Sequence, residues 1–161
     1  MPTFIPTTPL AGANLTTTTT TAQFTTGVKV HGNQDTEWVY VEANGAISAG
    51  DIVEITASGT ASRATTAGPR TSITELAAAQ NAFASGEYGW VARRGYGLTV
   101  AVSATVQPAT TLYIATTSGK LSNTSASATI VGILINNASA TATTTTTTAT
   151  LLWPRTVLIG G

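Results

Sequence analysis

The 161-residue chain carries seven basic residues, seven acidic residues and one His, and charged residues make up only 9% of it. That balance argues against nonspecific attraction to nucleic acid or an anionic membrane, both of which need an excess of Lys and Arg. The absence of Cys excludes a disulfide framework, a thiolate nucleophile and a sulfur-ligated metal.

The length suits one domain with its own core rather than two. Thr with Ala supply more than a third of the residues, a composition that favours β structure while leaving the larger core-forming side chains thinly spread. No stretch approaches the roughly 18 apolar residues of a membrane span. Met1-Pro2-Thr3-Phe4 lacks the basic start and apolar run of a secretory signal, so the expectation is a soluble protein made in a cytoplasm. A neutral surface is poor protection for a crowded free monomer and suggests cover by partners.

Residues 1–27 hold Pro2, Pro6 and Pro9, the Thr16 to Thr21 run, and only Phe4, Ile5, Leu10, Leu15 and Phe24 as scattered apolar groups. Neither helical nor strand periodicity is present, and proline fixes φ while removing a donor. The segment reads as an extended N-terminal arm whose apolar side chains find a partner outside its own core; a loose tail is the alternative.

Residues 28–161 read as a single β domain of short strands separated by turn residues. Strands are expected at 28–30, 38–41, 50–56, 61–65, 88–93, 98–102, 111–115, 129–135 and 147–153, with Asn44-Gly45 and Ser58-Gly59 as turns. In the strand over 50–56, Ile52, Glu54 and Thr56 alternate with Val53 and Ile55, the signature of a half-buried strand. One helix is expected over 72–84. Ser72-Ile73-Thr74-Glu75 has the form of a capping box, alanines follow, and Gly86 sits where a C-terminal cap would. The fold expected is all-β, an antiparallel β-sandwich or barrel with one short helix and an extended N-terminal arm. The second Thr run, at 143–148, reads as a hairpin or strand near the sheet edge rather than a glycosylated stalk, since it carries no interspersed proline.

Catalytic chemistry finds little to work with. The single His31, with Asp35 and Glu37 nearby, resembles a solvated turn leading into the Trp38 strand more than a hydrolytic cluster, and no Gly-x-Ser-x-Gly elbow accompanies it. Glu42, Asp51, Glu54, Glu75 and Glu87 show no spacing that singles out a catalytic pair, and Gly95-Tyr96-Gly97 lacks the further glycine of a dinucleotide loop. No enzyme, cofactor or metal site is expected. The dense cluster is 87–97, where Trp90, Arg93, Arg94 and Tyr96 are the side-chain types that dominate interface energy. The same residues also fit a core Trp90 followed by a solvated strand end. Two adjacent arginines on a regular strand point to opposite faces, so one of them should meet an acidic partner or pass the end of the core.

The pieces Ala49-Gly50-Asp51-Ile52-Val53, Gly86-Glu87-Tyr88-Gly89-Trp90-Val91 with Arg94-Gly95, Thr111-Leu112-Tyr113, Gly119-Lys120-Leu121 and Val131-Gly132-Ile133 occur in that order over 49–153. In that order they resemble the head decoration, or cement, proteins of tailed bacteriophages, most of all the small β-rich cement proteins of phages of cyanobacteria and aquatic bacteria. The resemblance implies a non-enzymatic virion protein on the outer surface of the capsid. It would form homotrimers and hold neighbouring major capsid protein subunits together. Phe4, Ile5, Leu10, Leu15, Phe24, Trp90, Arg93, Arg94 and Tyr96 are the partner-binding candidates, with no nucleic acid or membrane as partner. A carbohydrate-binding or adhesin-type module such as a tail-fibre domain is the alternative, with Trp38, Trp90 or Trp153 as the sugar platform.

Overall fold

The computed structural model describes residues 12–66, 75–103, 106–108, 110–115, 119–124, 128–137 and 146–158. Its strands are β1 (Lys29–His31), β2 (Glu37–Ala43), β3 (Ile52–Ile55), β4 (Thr60–Arg63), β5 (Glu75–Ala79), β6 (Tyr88–Ala101), β7 (Leu112–Ile114), β8 (Leu121–Ser122), β9 (Ala128–Ile135) and β10 (Thr146–Leu158). They form one large sheet in the order β1-β2-β4-β3-β5-β6-β10-β9-β7-β8, and β2 also pairs with β6. The chain is all-β, and among the described residues there is no helix.

The extra β2–β6 pairing closes a circuit: β2 pairs β4, β4 pairs β3, β3 pairs β5, β5 pairs β6, and β6 returns to β2. Five strands cannot alternate direction all the way round a closed path, so at least one neighbouring pair must run parallel. β2 and β4 are that pair, with Glu42 opposite Thr60 and Ala43 opposite Ala61. The antiparallel sheet expected from sequence is therefore a mixed one.

Period-two alternation sorts the circuit's side chains into two cores. Val39, Val41, Ala43, Val53, Ala61, Ala77, Ala79 and Val91 face one another inside the circuit, together with Ile47 and Phe83. The strand residues among them are all valine or alanine, while the larger Ile47 and Phe83 come from outside the named strands. The intervening residues Trp38, Tyr40, Ile52, Leu76, Ala78, Trp90 and Ala92 point outward into a larger core. Leu98, Val100, Leu112, Ile133, Ile135 and Leu151 complete it from the second half of the sheet.

The helix expected over 72–84 is not there. Glu75–Ala79 is strand β5, paired to β3 on one side and β6 on the other, and Phe83 bridges Ile47. Residues 72–74 lie outside the described residues. An Ala run scores as helix by propensity, yet this strand is buried on both faces, with Ala77 and Ala79 packed among Val53, Val91 and Phe83. Tertiary packing overrides a propensity difference of under about 1 kcal/mol per residue.

Residues 12–27 find their partners within the domain. Leu15 is fully buried in the larger core and its carbonyl accepts from Asn81 Nδ2 at 3.0 Å. Thr19 exchanges two backbone hydrogen bonds with Tyr88, at 2.9 and 2.8 Å, and the Gln23 N–H donates to Tyr40 Oη at 2.9 Å. Gly59 lets this strap come close. With φ +80, it sits where a Cβ would be 2.6 Å from the Gly27 nitrogen. The described part of the segment, 12–27, is a strap over the outer faces of β2 and β6, resting in part on the protein's own aromatic residues.

Leu15→Ala should therefore destabilise the domain by about 2–5 kcal/mol, as cavity-forming substitutions in a packed core do, measured as a lower urea midpoint with unchanged m. An effect under about 0.5 kcal/mol, the level of a surface substitution, would mean the strap is dispensable.

Candidate functional site

The Arg-rich segment of β6 lies where the circuit ends. Up to Ala92, β6 runs between β2 and β5. The register with β2 then slips, with Trp38 opposite Ala92 but Glu37 opposite Arg94, so Arg93 is the inserted residue of a bulge. Beyond it β10 becomes the neighbour of β6, with Leu152 opposite Arg94 and Leu151 opposite Gly95.

Arg93 closes the mouth of the circuit. Glu37, Glu75 and Arg93 continue the inward-facing rows of Val39, Ala77 and Val91. Arg93 Nη1 lies 3.2 Å from Glu37 Oε1 and its Nε lies 2.7 Å from Glu75 Oε1. Residues Glu37 and Arg93 are 8% and 9% exposed. The opposite end is held by the buried Asp51, which accepts from the Ser48 N–H at 2.8 Å and pairs with Arg63 Nε at 3.0 Å. Among the described residues, charges at inward-facing positions thus sit at the two ends of an apolar interior, where each meets a counter-charge.

Arg94 emerges outside. It pairs with Asp35 and lies 4.5 Å from the centroid of the Trp153 ring, a cation–π contact. Both arginines meet acidic groups of this chain, so neither is left needing an acidic residue from a partner.

Past the bulge the second face of β6, no longer inside the circuit, becomes the outer surface of β6, β10 and β9. Tyr96 is 61% exposed, Leu134 56% and Leu152 41%. Thr150 stands opposite Leu134, two residues from Leu152 on the same row of β10. Directly opposed side chains approach within about 5 Å and diagonal ones within about 8 Å, so Leu134 and Leu152 form a continuous apolar strip with Tyr96 beside it.

At the end of this strip β10 bulges. Trp153 has φ +49, a left-handed conformation unusual for a bulky residue, and its side chain is pushed outward. Gly132 of β9 makes the bulge possible, because a Cβ there would lie 2.5 Å from the Leu152 carbonyl oxygen. Trp153, Pro154, Arg155, Glu75 and Arg93 line a recess of about 280 Å³ beside the bulge.

Of the partner-binding candidates, Tyr96 and part of Arg94 reach this surface. Leu15 and Trp90 are core, and Arg93 is buried between two glutamates. Phe24 is 40% exposed but packs on Tyr40 and Trp90, with ring centroids 5.2 and 5.3 Å away. Phe4, Ile5 and Leu10 lie outside the described residues. Trp38 is core as well, which leaves Trp153 as the exposed tryptophan. Leu134 and Leu152 were hidden in apolar runs, 133–135 and 151–153, whose alternation does not tell which side is covered. Burial and the Glu42 carboxylate raise the Tyr88 phenol above its usual range. Among the described residues no group of three or more His, Asp or Glu side chains is placed to hold a metal ion.

No protein-family model, curated protein or solved structure matches the chain.

Arg93→Ala would leave Glu37 and Glu75 without their counter-charge and should cost about 3 kcal/mol, whereas Arg94→Ala, which loses a half-exposed pair, should cost about 1 kcal/mol or less. Chemical denaturation of the two variants in parallel checks this. Equal costs would contradict the assignment of Arg93 to the mouth of the circuit.

Proposed function

We propose that the protein is a structural decoration protein, bound to the outside of an assembled tailed-phage head, where it bridges neighbouring major capsid protein subunits. The observation that carries this reading is the uncovered apolar strip Tyr96–Leu134–Leu152 on the outer surface of β6, β10 and β9. Exposed apolar residues that adjoin one another mark interaction surfaces, and tyrosine is among the residues that dominate binding energy. The neutral charge and the ordered resemblance over 49–153 support the same reading.

In this reading the closed circuit is a small five-stranded barrel, and the β6–β10–β9–β7 half packs over it as the second layer of a sandwich. The barrel supplies stiffness and the open half supplies the docking face. Homotrimers at threefold positions would present three copies of the strip, so modest contacts add up by multivalency. Of the interface residues expected from the sequence, Tyr96 and Arg94 keep that role, while most of the contact moves to β9 and β10.

The test is whether the protein copurifies with intact virions in a fixed ratio to the major capsid protein and in threefold-related positions. A double Tyr96→Ser and Leu134→Ser variant should lose at least tenfold in head occupancy while its unfolding midpoint stays within about 0.5 kcal/mol of the parent, since both side chains are surface residues. Full occupancy by that variant, or absence of the protein from virions, would refute the proposal.

A further inference from the structure

The recess at the β10 bulge has a composition different from the apolar strip. One wall is aromatic and proline, Trp153 and Pro154. Glu75, whose side chain is 37% exposed, uses Oε1 to hold Arg93 and leaves its other carboxylate oxygen uncommitted to that pair. Arg155 is exposed and directly opposite Glu75 in the β5–β10 register, and its guanidinium makes no side-chain hydrogen bond or ion pair among the described residues. The recess lining carries one carboxylate, Glu75, and two guanidiniums, of which Arg93 is already held by Glu37 and Glu75, so the groups left open are one Glu75 oxygen and Arg155.

We propose that this recess binds one neutral pyranose ring, the terminal hexose of a surface glycan. A pyranose has an apolar C–H face and a rim of hydroxyls, each both donor and acceptor. The Trp153 ring offers a platform for the C–H face. The Glu75 oxygen accepts from one hydroxyl and the Arg155 fork donates to its neighbour, so the site offers an acceptor and a donor on either side of an aromatic wall. An anionic ligand would meet the Glu75 carboxylate. A recess of about 280 Å³ lies at the lower limit of the roughly 300–1,000 Å³ of pockets for drug-sized ligands, which suits a single ring better than a peptide. The platform is held in place by the bulge that Gly132 permits and by the Arg94 guanidinium on the Trp153 ring.

The recess adjoins the end of the docking strip, since Leu152 of the strip is followed directly by Trp153, but Tyr96 and Leu134, the strip residues tested for docking, do not line it. The proposal does not depend on the capsid reading, and a head-bound copy could hold a sugar at the same time.

The experiment is an NMR titration of the full chain that follows the three tryptophan indole N–H signals, with Trp153 assigned by its loss in Trp153→Asn, a residue that tolerates positive φ. The probes are the methyl α-pyranosides of glucose, galactose and mannose, with glucuronic acid and an acidic peptide, Ac-Glu-Leu-Glu-NH2, as competing classes. At least one neutral glycoside should move the Trp153 signal saturably with Kd of about 0.1–10 mM, leaving Trp38 and Trp90 unmoved. Arg155→Gln should weaken that binding at least fivefold with an unchanged thermal midpoint. The proposal is overturned if no neutral glycoside moves the signal at about 50 mM, fivefold above the weakest Kd expected. It also falls if only glucuronic acid or the peptide moves the signal, or if Arg155→Gln binds as the parent does. Head occupancy is read separately with the strip variant, so a failure of either proposal leaves the other standing.

Discussion

Arg93 stands where three strands part. β2 supplies Glu37, β5 supplies Glu75, and β6 carries the guanidinium between them, 3.2 and 2.7 Å from the two carboxylates. A charge at this depth is tolerated only with its partners in place. Together the three side chains end an apolar interior made mostly of valine and alanine, with Ile47 and Phe83. A longer apolar row would carry the ring of pairings further up β6. The buried ions instead fix the level at which β5 and β2 leave β6 and β10 takes over.

Much of the rest follows from that handover. Below Arg93 both faces of β6 are covered, one by the circuit interior and one by the Trp38–Tyr40–Trp90 layer under the strap. Above it only one face is covered, by Leu98 and Val100 in the larger core, and the other meets solvent with Tyr96. β10 and β9 inherit the same asymmetry, so Leu151, Ile133 and Ile135 are buried while Leu152 and Leu134 are exposed. The β10 bulge sits at the same level, and there Trp153 turns out beside Arg94 and Glu75. The docking strip and the sugar recess thus share one structural origin but present different chemistry.

The strands that alternate cleanly were legible. Trp38-Val39-Tyr40-Val41 and Ile52-Val53-Glu54-Ile55 are strands, each dividing its side chains between the two cores. The Ala run was not legible, because a strand buried on both faces between large neighbours has no alternation to read, and its glutamate mimicked a capping box while serving Arg93. Gly95-Tyr96-Gly97 read as a break between two strands, but it is a bulge inside the single strand β6, with φ +145 and +67 at the two glycines. The proline-rich start hid a strap because Leu15 and Phe24, too far apart for any periodic signal, dock on aromatics brought together only by the fold. Of the candidate site, Tyr96 and Arg94 were visible as residue types. The surface they join could not be seen, since it depends on which side of β9 and β10 the core lies.

The assignment of residues 75–79 to a central strand is the point on which the closed circuit, the Arg93 bridge and the recess all stand. Backbone NMR of the full chain tests it most directly. Glu75–Ala79 should show strand-type Cα and Cβ secondary shifts, cross-strand contacts from Ala78 to both Ile52 and Ala92, and amide exchange as slow as that of Val39–Val41 in β2. Helical shifts over these residues, with rapid exchange and no contact to Ala92, would open the circuit and contradict the account.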